Sequence, residues 1–180
     1  AQMSQELVNA AIAASAHAYA PYSNFHVGAA LLLDDGQIVS GANFENASYG
    51  MTLCAETVAI AKANSDGVLR NIVAIAVAGG PAGKVAANLE AITPCGRCRQ
   101  IIKEVADLNE RDIPVYCAHA SGYDTYYLSE LLPHGFGPIG HEQPHLKKRH
   151  SNSPQVHSRT IIMFNSWMSG AYMEITNSIV

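Results

Sequence analysis

Charge is scarce in this chain. Only 14% of its 180 residues are Asp, Glu, Lys or Arg, and the formal balance is −4. With a pI near 6.0, a long basic surface for duplex nucleic acid is excluded. The one basic knot, Lys147-Lys148-Arg149, falls in a polar stretch that reads as solvent-exposed. Apolar runs long enough to span a membrane are missing too. Cysteine is sparse, with Cys54, Cys95, Cys98 and Cys117 only. A chain of this size needs no disulfide staples. Ala10 to Ala20 ends in small residues as a secretory leader would, but it lacks a basic lead-in, and Glu6 stands where one belongs. A reduced, cytoplasmic protein is therefore expected.

What is present is apolar material, 48% of the residues, enough for a substantial core. The length suits one domain with a short appendage. Ser4 is placed to cap a helix from about Gln5 to Tyr19, which Pro21 would end. Val27 to Leu33 reads as a buried strand, Asp34-Asp35-Gly36 as a tight turn, and Gln37 to Phe44 as the returning antiparallel strand. Helical spacing runs from Cys54 to Ala63, with Gly67 as the stop. Asn71 to Ala78 is apolar enough to be a strand covered on both faces. Pro81 to Ile92 reads as a loop or weak element. A second helix is expected from Pro94 to about Leu108, a strand over Ile113 to His119, a turn at Ser121 to Asp124, a short strand over Thr125 to Leu128, and a helical turn starting at Ser129. A hairpin followed by helix, strand, helix, strand predicts a three-layer α/β/α sandwich with a central mixed sheet. Residues 1–138 form that unit. Residues 139–180 change character and read as a C-terminal extension of unassigned role. The tail histidines match no ligand spacing.

The chemistry lies in two short runs. Cys54-Ala55-Glu56 and Pro94-Cys95-Gly96-Arg97-Cys98 each begin a predicted helix. A helix N-terminus offers unpaired N–H groups and partial positive charge, which favour thiolate over thiol. Two such ends brought together place three sulfurs around one metal, and zinc with three protein ligands keeps a fourth position for water. Glu56 lies two residues beyond Cys54, awkward for a second metal bond but within reach of that water. A first ligand, a Glu two residues on, and a later P-C-x-x-C is the layout of zinc nucleobase deaminases. Asn43 and Glu45, at i and i+2 on a predicted strand, share one face, and their amide and carboxylate suit sugar hydroxyls.

These runs, with PYSNFHVGAALLLDDG at 21–36, NFENASYG at 43–50, PCGRCRQ at 94–100 and LLPHGF at 131–136, resemble the cytidine deaminase family in its short-chain, three-cysteine form. The resemblance spans residues 21 to 136. It implies hydrolytic deamination of cytidine and 2′-deoxycytidine in pyrimidine salvage. Cys54, Cys95 and Cys98 would hold Zn2+, and Glu56 would carry protons between the activated water, ring N3 and the departing amine. Asn43 and Glu45 would bind the ribose, Phe25 would line the pocket, and Ala55 would contact the substrate. Tyr49 and Phe136 would reach into a neighbouring subunit's site. A homotetramer is implied, with a dimer as the alternative, and no nucleic-acid or membrane partner. One position departs from the family: Thr57 stands where three-cysteine members often carry Arg. Arg97 or Arg99 is expected to compensate, which requires a guanidinium near a ligand sulfur.

Blander readings exist for each feature. The three cysteines could close a structural zinc site with Cys117 or His119 as fourth ligand, or CxxC could be a redox pair. Cys117 reads best as a small core residue. Phe25 and Phe136 could be ordinary core aromatics, Asn43 could satisfy a turn, and Glu45 could be a surface charge. Two rivals to the leading reading are a deaminase of another aminopyrimidine such as blasticidin S and a catalytically silent zinc fold that binds nucleosides.

Overall fold

The computed structural model describes residues 2–84 and 90–137. The elements are α1 (Gln2–Ala14), β1 (Phe25–Leu33), β2 (Ile38–Ala42), α2 (Ala55–Ser65), β3 (Ile72–Pro81), α3 (Gly96–Leu108), β4 (Pro114–His119), β5 (Gly122–Tyr127) and α4 (Leu128–Leu131). The five strands form one sheet in the order β2-β1-β3-β4-β5. The β3–β4 pair is parallel and the other three pairs are antiparallel, so the sheet is mixed as expected.

Strand directions dictate where the helices begin. β2 and β3 both run antiparallel to β1, so they point the same way, and β4 runs parallel to β3. α2 is thus the crossover from β2 to β3, and α3 the crossover from β3 to β4. Both crossovers step in the same direction across the sheet. The right-handed rule then puts both helices on one face, each starting at the same end of the sheet. The core agrees. One buried cluster joins Ala55, Ala59, Ile60 and Ala63 of α2 and Ile102, Val105 and Ala106 of α3 to Ala29, Leu31, Ile75, Val77, Val115 and Cys117. A second cluster on the opposite face joins Leu7, Val8 and Ala11 of α1 to Ala30, Ala74, Ala76, Ala78 and Ala118. Alternate residues of β1, β3 and β4 serve alternate faces, the period-two rule at work in strands buried on both sides.

The hairpin turn closes with Gly36 at φ +87°, and Gly67 follows α2 at φ +75°, both in the left-handed region that favours glycine. Several boundaries correct the expectation. α1 begins at Gln2, so Ser4 lies inside it, and its α-helical part ends at Ala14. A 3-10 turn over Ser15–His17 follows, where the Ser15 hydroxyl donates back to the Ile12 carbonyl. β2 stops at Ala42, short of Phe44. Residues 122–124 are strand, not turn, because Tyr123 and Asp124 pair with Ala118 and Cys117. α4 starts at Leu128, with the Tyr127 N–H donating to Glu130 Oε2, so Ser129 is not its cap. Part of the expected loop over 81–92 and the C-terminal extension over 139–180 lie outside the described residues. Among the described residues no helix is long and apolar enough to cross a membrane.

Candidate metal centre

Cys54 and Cys95 are the residues immediately before α2 and α3, both with extended backbone (φ −69°, ψ 153° and φ −65°, ψ 165°). Each carbonyl accepts the first intrahelical bond, from the N–H of Val58 and of Arg99 respectively. Neither thiol caps its own helix, which leaves both sulfurs free to face one another. Cys98 comes from the first turn of α3 and is fully buried. The crossover geometry therefore gathers three residues separated by up to 44 positions in sequence. Their sulfurs lie within 4.8 Å of one another, and all are free thiols. Cys54 Sγ and Cys95 Sγ are 3.8 Å apart. Tetrahedral zinc with Zn–S of about 2.3 Å requires sulfurs about 3.8 Å apart. The donor set, its spacing and its two helix N-termini fit a zinc ion. Among the described residues no carboxylate, His119 nitrogen or Cys117 sulfur joins this cluster. His119 is instead turned to Ser121 (Nδ1 to Oγ, 3.1 Å) and Asp124. Cys117 is a core residue whose burial pushes its thiol up to about 11.

The sulfurs perturb one another. The Cys98 thiol hydrogen-bonds to Cys54 and lowers its pKa to about 6, against the opposing effects of burial and of Glu56; Cys95 and the Arg97 charge add to the lowering. The same interaction with Cys54, with burial, pushes Cys98 far up. Glu56, on the first turn of α2, is only 4% exposed. Burial raises its pKa, while its own N–H and the Cys98 thiol pull the other way. A buried carboxylate thus stands against the sulfur trio without belonging to it.

Neither Arg97 nor Arg99 hydrogen-bonds to a ligand sulfur. Arg97 donates to the Thr52 carbonyl at 3.3 Å. Arg99 donates to the Pro94 and Leu131 carbonyls and to Thr93 Oγ1. The group that does touch a sulfur is Thr57, whose Oγ1 lies 3.8 Å from Cys98 Sγ. Sequence reading treated Thr57 only as a missing arginine. No local signal marks it, because Cys98 lies 41 residues away.

A cleft of about 390 Å³ is lined by Tyr22, Ser23, Glu45, Tyr49 and Thr52. Its lining holds Glu45 but neither Glu56 nor the cysteines. Asn43 and Glu45 lie just past β2, on either side of Phe44, whose bridges to Tyr19 and Leu53 keep the chain extended. Both are buried while Phe44 is exposed, so the shared face survives without the strand. Asn43 is tied to β1: Oδ1 accepts from the Val27 N–H at 2.8 Å, and Nδ2 donates to the Phe25 carbonyl at 3.0 Å. One amide hydrogen remains. Glu45 Oε2 accepts from the N–H groups of Tyr22 and Ser23. The Ser23 hydroxyl and these N–H groups hold its carboxyl below the usual carboxylate range. Ser23 was not singled out from the sequence. Phe25 is partly exposed and Ala55 fully buried at the start of α2. Tyr49 is 74% exposed and Phe136 82% exposed, so neither is a core aromatic.

Residues 1–110 match the family described as "Cytidine and deoxycytidylate deaminase zinc-binding region". A cytidine deaminase of Halalkalibacterium halodurans is 47% identical over 133 residues, 73% of this chain and 92% of that protein. The crystal structure of a cytidine deaminase from Burkholderia pseudomallei superposes with a TM-score of 0.62 at 40% identity, covering 73% of this chain and 97% of that one. A blasticidin-S deaminase of Bacillus cereus is 35% identical over a shorter match, 45% of this chain and 58% of that protein. The five-stranded mixed sheet, the three clustered cysteines and these matches together show that the chain belongs to the cytidine deaminase family.

Proposed function

We propose that this protein hydrolyses cytidine and 2′-deoxycytidine to the uridine nucleosides and ammonia, as a step of pyrimidine salvage in the cytoplasm. The observation that carries the reading is the convergence of Cys54, Cys95 and Cys98 at two helix N-termini with the buried Glu56 carboxylate against them. Zinc held by the three sulfurs would supply a polarised water with its pKa lowered toward neutrality. Glu56 takes a proton from the attacking water and delivers it to ring N3 as the C4–O bond forms. It then passes the remaining hydroxyl proton to the amine as the C4–N bond breaks. Water and cytidine become uridine and ammonia, and Glu56 ends as it began. Its burial keeps bulk solvent from competing for that proton.

Glu45 and Asn43 bind the sugar. The Tyr22 and Ser23 N–H groups fix Glu45 Oε2 and so aim the carboxylate. A site built to bond a hydroxyl rejects an analogue lacking it. Phe25 and Ala55 contact the nucleoside, and Tyr49 and Phe136 complete a neighbouring subunit's site in a homotetramer. Residues 1–138 make up the catalytic domain, and 139–180 an extension.

The test follows the ultraviolet change as cytidine becomes uridine, with zinc measured on the same samples. Glu56→Ala is expected to keep zinc and lose activity by about 10²- to 10⁴-fold, the usual worth of a positioned acid–base group. Equal rates for parent and variant would remove Glu56 from the reaction. Blasticidin S offered as a competing substrate separates the rival: faster turnover of it than of cytidine overturns the nucleoside assignment.

A further inference from the structure

Away from the sulfurs, α3 carries an ion pair that the reaction does not use. Lys103 Nζ donates to both carboxylate oxygens of Asp107, four residues on. The two side chains are only 8% and 13% exposed. Helix energetics give no reason for it. With the base N-terminal to the acid the i, i+4 order is the weaker one. Asp107 also sits in the last turn of α3, where the negative end of the dipole opposes it. Burying two charges is costly unless something else is gained.

What lies on the pair is the segment that carries Phe136. A Cβ added to Gly137 would fall 2.2 Å from Asp107 Oδ2 and 3.0 Å from Lys103 Nζ, so the backbone rests directly on the two charged groups. One turn earlier on the same helix face, Gln100 Nε2 donates to the Phe136 carbonyl at 2.9 Å. Gln100, Lys103 and Asp107 are spaced i, i+3 and i+7, a single stripe. The stripe holds the backbone at the Phe136 carbonyl and at Gly137, while Phe136 stands 82% exposed. An aromatic presented from a fixed backbone has already met the ordering cost that a loose loop would meet on binding.

We propose that Gln100 and the Lys103–Asp107 pair are positioning residues that seat residues 136–137 and so present the Phe136 ring, preorganised, to the nucleoside site of a second copy of this chain. The inference rests on the reading of Phe136 given under the proposed function. Their effect runs through Phe136 alone, which makes it measurable as a coupling.

The experiment compares steady-state cytidine kinetics of Phe136→Ala, Gln100→Ala, the double variant Lys103→Met/Asp107→Leu, and Gln100→Ala combined with Phe136→Ala, with zinc content measured on each. Phe136→Ala is expected to raise KM about tenfold with little change in kcat, and Gln100→Ala and the pair variant to raise it about threefold, the pattern of lost binding rather than lost chemistry. In the Phe136→Ala background, Gln100→Ala should add nothing, because the group it positions is gone. Parental KM in Gln100→Ala and in the pair variant overturns the proposal, as does a full additive rise in the combined variant. If Phe136→Ala itself has parental KM, the assignment of Phe136 falls, and the seat with it. Gln100 is half-buried and outside both core clusters, so the test stands even if the pair variant does not fold.

Discussion

Three thiolates around a divalent cation leave one net negative charge, and every hydrogen bond given to a sulfur spreads it. Thr57 is the neutral donor placed to do so, with Oγ1 3.8 Å from the buried Cys98 Sγ. Thr57→Val removes the donor and keeps the shape. It is expected to weaken zinc retention by about 10- to 100-fold, as outer partners of metal ligands do. Titration with a competing chelator, with zinc counted per chain, reads the effect; Thr57→Ser should stay near the parent. Undiminished retention in the valine variant would show that the two helix N-termini suffice. The clustering of the three cysteines was legible because C-x-E and P-C-x-x-C state the chemistry in adjacent residues. The Thr57 contact was not, since its partner lies 41 residues away and only the fold brings them together. Arg97 answers the expectation through its charge, which helps lower the Cys54 pKa, while its hydrogen bond and those of Arg99 go to nearby oxygens and not to the sulfurs.

The sulfur trio depends on α2 and α3 lying close against the sheet, and one residue sets that distance for α2. A Cβ on Gly41 of β2 would meet the Ala59 nitrogen at 2.6 Å and the Ala55 carbonyl oxygen at 2.9 Å, both backbone atoms of α2. Helix backbone cannot swing aside as a side-chain tip can. Gly41→Ala is therefore expected to cost about 1–3 kcal/mol through overpacking. It should also lower zinc content, because the helix that shifts directly follows Cys54 and carries Glu56. Gly50→Ala, where an added Cβ meets nothing within 4 Å, is the control. Urea denaturation followed by circular dichroism, with zinc assayed, compares the two; equal midpoints would mean that α2 adjusts freely. At this scale the sequence was informative where an apolar run or helical spacing is strong, as in β1, β3 and α2. It failed where local and long-range signals compete. Ser4 offered a cap that the helix runs past. Gly122 to Asp124 carry turn residues, yet β4 offers them a partner, and pairing decided the outcome.

A single copy of the chain leaves Tyr22, Tyr49, Met51 and Phe136 half or more exposed. Tyr22 and Tyr49 pack edge to face at 5.8 Å between ring centroids over the cleft they line. Large apolar side chains left in water near a binding cleft are the mark of an interaction surface. The proposed sharing of sites between subunits makes a prediction that no folded monomer can mimic. Glu56→Ala has an intact Phe136 to lend, and Phe136→Ala has an intact Glu56 to use. Unfolded together and reassembled in equal amounts, or co-produced, they should form mixed oligomers. A complete site needs its own Glu56 and a neighbour's Phe136, so about a quarter of the sites become complete by random closure of a symmetric assembly. At low cytidine concentration, where the Phe136 variant alone turns over slowly, the mixture should exceed the mean of its two parents. Activity equal to that mean would place Phe136 in the service of its own subunit. The fold leaves Phe136 82% exposed, and the ring's target is set by how copies close on one another.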